Sequence, residues 1–349
     1  MKDFLCLDAF CGAGGLSLGL NQAGFKIVYS FDKDPLTIKT LESNPSFFTH
    51  LIEEKAIEDL SSEQLLQKLD IRKGELTLVS GGPPCQGFSI QRIGSDKDDR
   101  NTLIFNYINL VLDLNPRFFL MENVPGIVGK RGQALLENAL NHAEKNGYFI
   151  HKEILDAQNF QVPQRRKRVF IIGERKDYKN PKFKFPKEIK GKVTVRDTIA
   201  HLPSPPLDGS CSEIIKHHRR DRLSEKNLAR LTFLKQGQGM KDLPEHLLAD
   251  CHKVGAEKIG HRNVYGRMKW DDVAPTITAR FDSFTRGQFA HPEDNRSISL
   301  KEGALLQTFP DDYDFSGNKV DIARQIGNAV PPKLASYIGL AILKVENGI

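Results

Sequence analysis

The chain has 349 residues, 39% of them hydrophobic and 27% charged, with a formal net charge of +6. That length exceeds the ~250–300 residues at which one core stops growing, so two lobes are expected, and the composition excludes wholesale disorder. No apolar run approaches the ~20 residues of a membrane span, and the opening MKDFLCLDAF puts acids where a signal peptide needs a basic region, so a soluble, cytoplasmic protein without membrane contact is expected.

Taken in chain order, residues 4–10 form a short apolar run that breaks into Gly12-Ala13-Gly14-Gly15. Apolar positions at Leu16, Leu20 and Ala23 then predict a helix ended by Gly24. A second strand is predicted over 25–31, with Asp32 at its end. Strand, glycine turn, helix and strand with a terminal acid open a doubly wound nucleotide-binding sheet. Residues 76–79 read as a strand entering Gly82-Pro83-Pro84-Cys85. A helix follows at 104–114, a strand at 117–121 ending in Glu122-Asn123, a helix at 135–144 and a strand at 168–173. The alternation predicts an α/β fold with a mostly parallel sheet and helices on both faces.

Beyond residue 178 the texture changes. Lysines and prolines crowd 179–192, and Leu202-Pro203-Ser204-Pro205-Pro206 reads as a linker. Residues 216–235 carry seven Lys/Arg against two acids, with His217 and His218 adjacent. Regular patterning returns with a helix at 300–307 and a final helix bearing Leu334, Ile338, Ala341, Ile342 and Val345.

The five cysteines, Cys6, Cys11, Cys85, Cys211 and Cys251, are odd in number and widely spaced. They form no disulfide framework and no C-x-x-C zinc pair. Cys85 differs from the rest, because two prolines stiffen the backbone leading to it at the carboxyl end of a predicted strand, where open α/β sheets bind ligands. That context favours a functional thiol over a loop cysteine without a role. Glycines at 12, 14 and 15 let the backbone approach a ligand, and the helix behind them offers free N–H groups. A dinucleotide fingerprint would need its third glycine at Ser17, so that match fails. Asp32 suits ribose hydroxyls, although the turn alone fits a nucleoside-like ligand and a plain chain reversal equally well.

Glu122, if buried at its strand end, should have a raised pKa and could move a proton; a solvated acid is the alternative. Arg166 and Arg168 alternate along the next strand and point to one side, with Arg165 and Lys167 on the other. Cations at a cleft rim suit a phosphate or a pyrimidine carbonyl, and a merely charged edge is the competing reading.

Four ordered segments carry a family resemblance: Asp8-Ala9-Phe10-Cys11-Gly12-Ala13-Gly14-Gly15, Gly82-Pro83-Pro84-Cys85-Gln86-Gly87-Phe88-Ser89, Glu122-Asn123-Val124 and Gln164-Arg165-Arg166-Lys167-Arg168. Together with Leu305-Leu306-Gln307-Thr308-Phe309-Pro310-Asp311 and Gln325-Ile326-Gly327-Asn328-Ala329-Val330-Pro331, the chain resembles the S-adenosylmethionine-dependent cytosine-C5 DNA methyltransferases of bacterial modification systems. The resemblance implies a Rossmann-like methyltransferase sheet with a smaller inserted target-recognition domain. Its boundaries would be a catalytic domain at 1–185 and 291–349, and a recognition domain and hinge at 186–290.

It implies Cys85 as the nucleophile adding to cytosine C6, since C5 unaided is too poor a nucleophile. Glu122 matches the acid at N3 and the exocyclic amine, Arg168 and Arg166 the arginines near O2 and the nucleophile, and Asn123 the scaffold of the Pro-Cys turn. Cofactor positions are Phe10, Gly12, Gly14, Asp32, Lys33, Ile57, Pro83, Leu103, Asn328 and Val330, so the last helix should fold back against the first strand. The family usually carries Glu where Asp32 stands, an apolar or aromatic residue at Lys33, and an adenine-contacting acid at Ala56. DNA contacts are implied for Ser89, Gln91, Arg219, Arg220, Arg222 and Thr276, with a flipped cytosine. The expected partners are double-stranded DNA and a cognate restriction endonuclease, with no metal and a monomeric enzyme. His217-His218 reads as a DNA-facing or surface pair, and Trp270 as packing between the lobes.

Two related readings and two from other classes compete. An exocyclic-amine methyltransferase would place an aromatic where Cys85 stands. A transfer-RNA cytosine-C5 enzyme typically shows Phe-Thr where this chain has Phe88-Ser89. A catalytically silent DNA-binding regulator would have lost Cys85, Glu122 or the arginines. A nicotinamide dehydrogenase is disfavoured by Ser17 and by the Pro-Pro-Cys turn.

Overall fold

In the computed structural model, which describes residues 3–84, 102–129, 132–177, 180–250 and 264–348, seven strands form one sheet in the order β3-β2-β1-β4-β5-β7-β6. The strands are β1 (Leu5–Ala9), β2 (Lys26–Asp32), β3 (Leu51–Glu54), β4 (Leu78–Gly81), β5 (Phe118–Asn123), β6 (Tyr148–Asp156) and β7 (Lys167–Arg175). The first five run parallel, while β7 is antiparallel to both β5 and β6. The order reverses direction at β1, whose neighbours are β2 and β4. Ligands of open α/β sheets bind outside the carboxyl ends of the strands at such a point.

The helices between the strands are α1 (Gly15–Ala23), α2 (Pro35–Glu42), α3 (Ser62–Leu69), α4 (Thr102–Leu114) and α5 (Gln133–Lys145). Side chains along a strand alternate between faces. Leu7 and Ala9, Tyr29 and Phe31, Phe119 and Met121, and Val169 and Ile171 therefore form one apolar face, packed by Leu65 of α3, Leu103 to Leu114 of α4 and Leu136 to Ala143 of α5. Tyr107 ties α4 to the sheet by donating to Val79 O and Leu120 O at 3.0 and 2.8 Å. The sequence pattern missed β3, β6, α2 and α3, which are short, half-exposed or weakly apolar.

The C-terminal helix Pro332–Glu346 packs on α1, the helix that follows the first strand. The approach is close enough that a side chain at Gly19 would lie 2.2 Å from Pro332 O, and one at Gly339 2.8 Å from Ala23 Cβ.

The chain packs as two units: Met1–Phe160, Lys167–Ile189 and Val330–Ile349 form the first, and Gln161–Arg166 and Lys190–Ala329 the second. The sequence reading assigned 291–329 to the catalytic part, whereas this stretch packs with the second unit. The reason is a buried polar core. Arg267 donates to Leu231 O, Leu234 O, His291 O and Asp294 O, and Arg296 binds Glu302 through two hydrogen bonds of 2.7 Å. Among the described residues, no helix is long and apolar enough to cross a membrane.

Candidate active site and cofactor turn

The glycine turn after β1 is built from left-handed backbone. Phe10, Gly12 and Gly14 have φ of 54°, 51° and 76°. At Gly14 a side chain would lie 2.5 Å from the Phe48 ring, so glycine is required there, whereas the side of Gly12 faces open space. Gly12 N donates to Asp32 Oδ2 at 3.0 Å and Asp34 N to Oδ1 at 2.9 Å. Burial raises the Asp32 carboxyl above the ordinary aspartate range, and these backbone donors oppose the shift. Of the other proposed cofactor positions, Ile57, Leu103 and Pro83 are buried, Lys33 is exposed, and Val330 is buried just before the C-terminal helix. Asn328 belongs to the second unit, at the exposed end of the helix Lys319–Asn328.

Under the turn lies a polar row that the sequence reading passed over. Asp8 pairs in register with Ser30 of β2 and Ser80 of β4. Ser17 Oγ of α1 donates to Asp8 Oδ2 at 2.5 Å and Ser80 Oγ to Oδ1 at 2.8 Å, while Ser30 Oγ meets His50 Nε2 at 2.8 Å. Burial raises the Asp8 pKa to about 6 despite these donors, and burial lowers that of His50 to about 4. The available signal was an acid inside the apolar run FLCLDAF, since a buried acid needs partners.

The second cluster sits at the carboxyl end of β5. Glu122 is buried, and its Oε1 lies 3.0 Å from Arg168 Nε on the antiparallel neighbour β7. Arg168 Nη1 donates to Lys167 O at 2.8 Å. A side chain at Gly82 would sit 3.5 Å from Glu122 Oε2, so the carboxylate lies against the Gly82-Pro83 turn. Asn123 Nδ2 donates to Pro83 O at 2.9 Å, and Asn123 Oδ1 accepts from Val124 N at 2.9 Å. Glu122, Arg168 and Asn123 are thus gathered at the turn that precedes Cys85 in sequence. Cys85, Ser89 and Gln91 lie outside the described residues.

Arg166 does not share a strand with Arg168. It precedes β7 in the second unit, fully buried, and donates to Ile277 O and Ala329 O at 2.9 Å each. Gln164 faces inward with it and Arg165 outward, where Arg165 pairs with Asp272 at 2.9 Å. Gln164 donates to Gln307 Oε1 at 2.6 Å and Leu306 O at 3.0 Å and accepts from Ile277 N, while Gln307 donates to Ile326 O. The glutamines of two sequence motifs therefore knit three backbone segments together.

Among the residues expected to touch DNA, Arg219 and Arg222 are exposed, Arg220 is half-buried with Nη2 3.9 Å from Asp294, and Thr276 donates its hydroxyl to Arg165 O. The expectation of a DNA-facing or surface histidine pair is corrected. His218 is buried between Ser299 Oγ at 2.8 Å and Pro203 O at 2.7 Å, and half-buried His217 pairs with Asp314 at 2.6 Å, because both ring nitrogens of a buried imidazole need partners. Trp270 is buried in the second unit, edge-on to His291 and under Arg196. Cys6 and Cys11 are buried and their thiols are pushed up by desolvation. Among the described residues, no group of three His, Cys, Asp or Glu could hold a metal.

A mostly parallel sheet with an antiparallel β7, a glycine turn after β1, an acid ending β2 and a Pro-Pro turn after β4 defines a Rossmann-like methyltransferase fold. The comparisons carry this to the family. C-5 cytosine-specific DNA methylase matches residues 4–344, and the chain belongs to that family, whose activity is DNA cytosine-5 methylation with S-adenosylmethionine. The chain is 33% identical to Type II methylase M.HgiDII of Herpetosiphon aurantiacus, over 98% of this chain and 96% of the relative. It is 35% identical to Type II methyltransferase M1.HphI of Haemophilus parahaemolyticus, over 97% and 87% of the two. A solved E. coli structure, described as a prophage-encoded DNA modification methyltransferase, superposes with a TM-score of 0.75 at 25% identity, covering 99% of this chain and all of that one.

Proposed function

We propose that the enzyme methylates C5 of one cytosine within a specific double-stranded DNA sequence, acting on the base flipped out of the helix through a covalent adduct between Cys85 and C6. The observation that carries this reading is the placement of Glu122, Arg168 and Asn123 around the Gly82-Pro83-Pro84 turn that leads into Cys85. The Cys85 thiolate adds to C6, and the electron pair of the C5–C6 bond becomes available at C5 as charge builds on the ring. Glu122 holds N3 and the exocyclic amine, and Arg168 faces the O2 edge while orienting that carboxylate. Once C5 carries the methyl group, its proton leaves to a base, the C5–C6 double bond re-forms and the thiolate is expelled.

Asn123 acts as a positioning residue, fixing Pro83 and hence the backbone before the nucleophile. Arg166 acts in the same way through the carbonyls of residues 277 and 329. The turn after β1 fits the cofactor. Gly12 leaves open the space a side chain would fill, and the Asp32 carboxylate at the end of β2 suits ribose hydroxyls, with Phe10, Gly14, Lys33, Ile57, Pro83, Leu103, Asn328 and Val330 completing the set. S-adenosylmethionine, when bound, supplies an electrophilic methyl group on a sulfonium. The second unit recognises the DNA, and Ser89 and Gln91 contact it near the flipped base. The enzyme is read as a monomer of the bacterial cytosol, and its likeness to type II methyltransferases supports a role in protecting DNA from a cognate restriction endonuclease.

The test incubates the protein with S-adenosylmethionine and duplex DNA carrying 5-fluorocytosine in many sequence contexts. Fluorine cannot leave as a proton does, so a covalent complex through Cys85 is expected, and Cys85→Ser should abolish it while cofactor binding persists. An adduct with transfer RNA and with no DNA would overturn the DNA assignment, and turnover by Cys85→Ser would remove the thiol from the mechanism.

A further inference from the structure

The basic segment 216–235 holds an acid, Asp221, between Arg220 and Arg222, and its carboxylate is turned inward. Asp221 Oδ1 accepts from Ser297 N at 3.1 Å and Oδ2 from Ser297 Oγ at 2.8 Å. The same Ser297 hydroxyl accepts from Phe284 N at 3.0 Å. A relay of hydrogen bonds thus runs from the Phe284–Arg286 turn through Ser297 to the centre of the basic segment.

That turn is fixed from several sides. Phe284 is fully buried, Tyr265 N donates to Phe284 O at 3.0 Å, and Gly266 N donates to Gly287 O at 3.1 Å. Ser283 and Thr285 share a hydrogen bond of 2.9 Å, and a side chain at Gly287 would lie 2.3 Å from the Phe289 ring. On this pinned turn Arg286 is exposed between half-buried Thr285 and buried Gly287, and among the described residues no hydrogen bond or ion pair engages its guanidinium. Its neighbour Arg280 is spent on Asp282 at 3.1 Å. Arg219 and Arg222, at the other end of the relay, are also exposed.

We propose that Asp221, through Ser297, is a positioning residue that locks the 219–222 segment to the Phe284–Arg286 turn, so that Arg219, Arg222 and Arg286 act together as contacts to the phosphate backbone of duplex DNA. The inference rests on the DNA-methylating reading above and adds Arg286, Asp221 and Ser297 to it. Phosphate contacts fix the register of a protein on a duplex, which requires cations held at fixed mutual positions rather than on free loops. The acid inside a basic block is explained on the same ground. It sets backbone geometry, and both its oxygens face a serine instead of the ligand.

The experiment measures binding of the full chain to a random-sequence duplex over a salt series, together with the sequence specificity of methylation. Each phosphate contact contributes about 0.9 to the slope of log affinity against log salt. Arg286→Ala, which disturbs no side-chain partner among the described residues, should lower that slope by about 1 and weaken binding uniformly across sequences. Asp221→Ala and Ser297→Ala should lower it by about 1–2. Asp221→Asn, which can still accept Ser297 N–H and donate to Ser297 Oγ, should restore it.

An unchanged slope in Arg286→Ala overturns the proposal, as does a loss of specificity at one base pair with the slope intact, which would mark a base contact. Equal behaviour of Asp221→Ala and Asp221→Asn overturns the positioning role. Failure of the wild-type chain to bind duplex DNA at any salt overturns the DNA-methylating reading itself, together with this extension of it.

Discussion

Ser17 donates its hydroxyl to Asp8 at 2.5 Å, joining the first turn of the first helix to the first strand at the position where a dinucleotide-binding turn carries its third glycine. Helix and strand therefore meet through a buried hydrogen bond instead of through close backbone packing. Ser17→Gly should cost about 1–3 kcal/mol in thermal unfolding, the price of leaving a buried acceptor short of a donor, and should not create nicotinamide dinucleotide binding. A gain of such binding, or unaltered stability, would contradict this account.

The same acid gives the pH dependence a definite sign. The Asp8 pKa is raised by burial to about 6 from an ordinary 3.8, so the folded chain binds this proton more tightly than the unfolded chain. Its contribution to stability is present below pH 4 and is lost as pH rises through 6, by about 3 kcal/mol at most. In denaturant titrations, Asp8→Asn should flatten that fall.

His291 acts in the opposite direction. Burial lowers its pKa from 6.5 to about 4, and its Nδ1 accepts from Asp294 N at 2.9 Å, a bond only the neutral ring can make. The unfolded chain binds the proton first, so stability should fall as pH drops from 6.5 towards 4, by up to about 3 kcal/mol. His291→Gln, whose side-chain oxygen can accept the same bond, should reduce the acid sensitivity without abolishing it, because His50 is shifted the same way.

Asn123→Ala releases Pro83 O and the turn before Cys85 while leaving the β1 turn untouched. A small displacement of a nucleophile costs about 100-fold in rate, so kcat should fall by that order while cofactor affinity holds. A parallel loss of cofactor affinity, measured by calorimetry, would show that the amide serves the cofactor instead.

Glu122 and Arg168 should separate stability from activity. Arg168→Ala leaves a buried carboxylate without its cation and should destabilise by about 3–5 kcal/mol. Glu122→Gln keeps a hydrogen-bonding partner for Arg168 and should stay folded, yet lose at least about 100-fold in methylation and in adduct formation. Near-normal turnover by Glu122→Gln would remove the acid from the mechanism.

Asp32→Glu tests the departure from the family pattern. Both Asp32 oxygens already accept backbone N–H bonds, at 3.0 and 2.9 Å, so a longer side chain must break or displace them. Losing one charge-assisted bond of about 1.5–3 kcal/mol should weaken cofactor binding at least 10-fold. Tighter binding would mean that the turn can relax around glutamate.

Much of the first unit was legible because its signals are local. Apolar runs of four to six residues, glycines where φ must be positive, and acids at strand ends each reveal their place without knowledge of the partner; β5 (Phe118–Asn123), buried throughout, is the plainest case. The second unit was opaque for the converse reason. It is held by Arg267, His218, Gln164 and the Arg296–Glu302 pair, polar side chains that read as surface in a linear sequence and become core only when distant carbonyls and carboxylates converge on them. Sequence alone determined the family and the alternating α/β order, and it supplied the residues proposed for the chemistry. Tertiary structure decided which of two alternate arginines meets Glu122, and it buried one histidine of a pair expected at the surface. It also joined Asp221 to Ser297, because hydrogen-bond partners separated by dozens of residues leave no periodic trace along the chain.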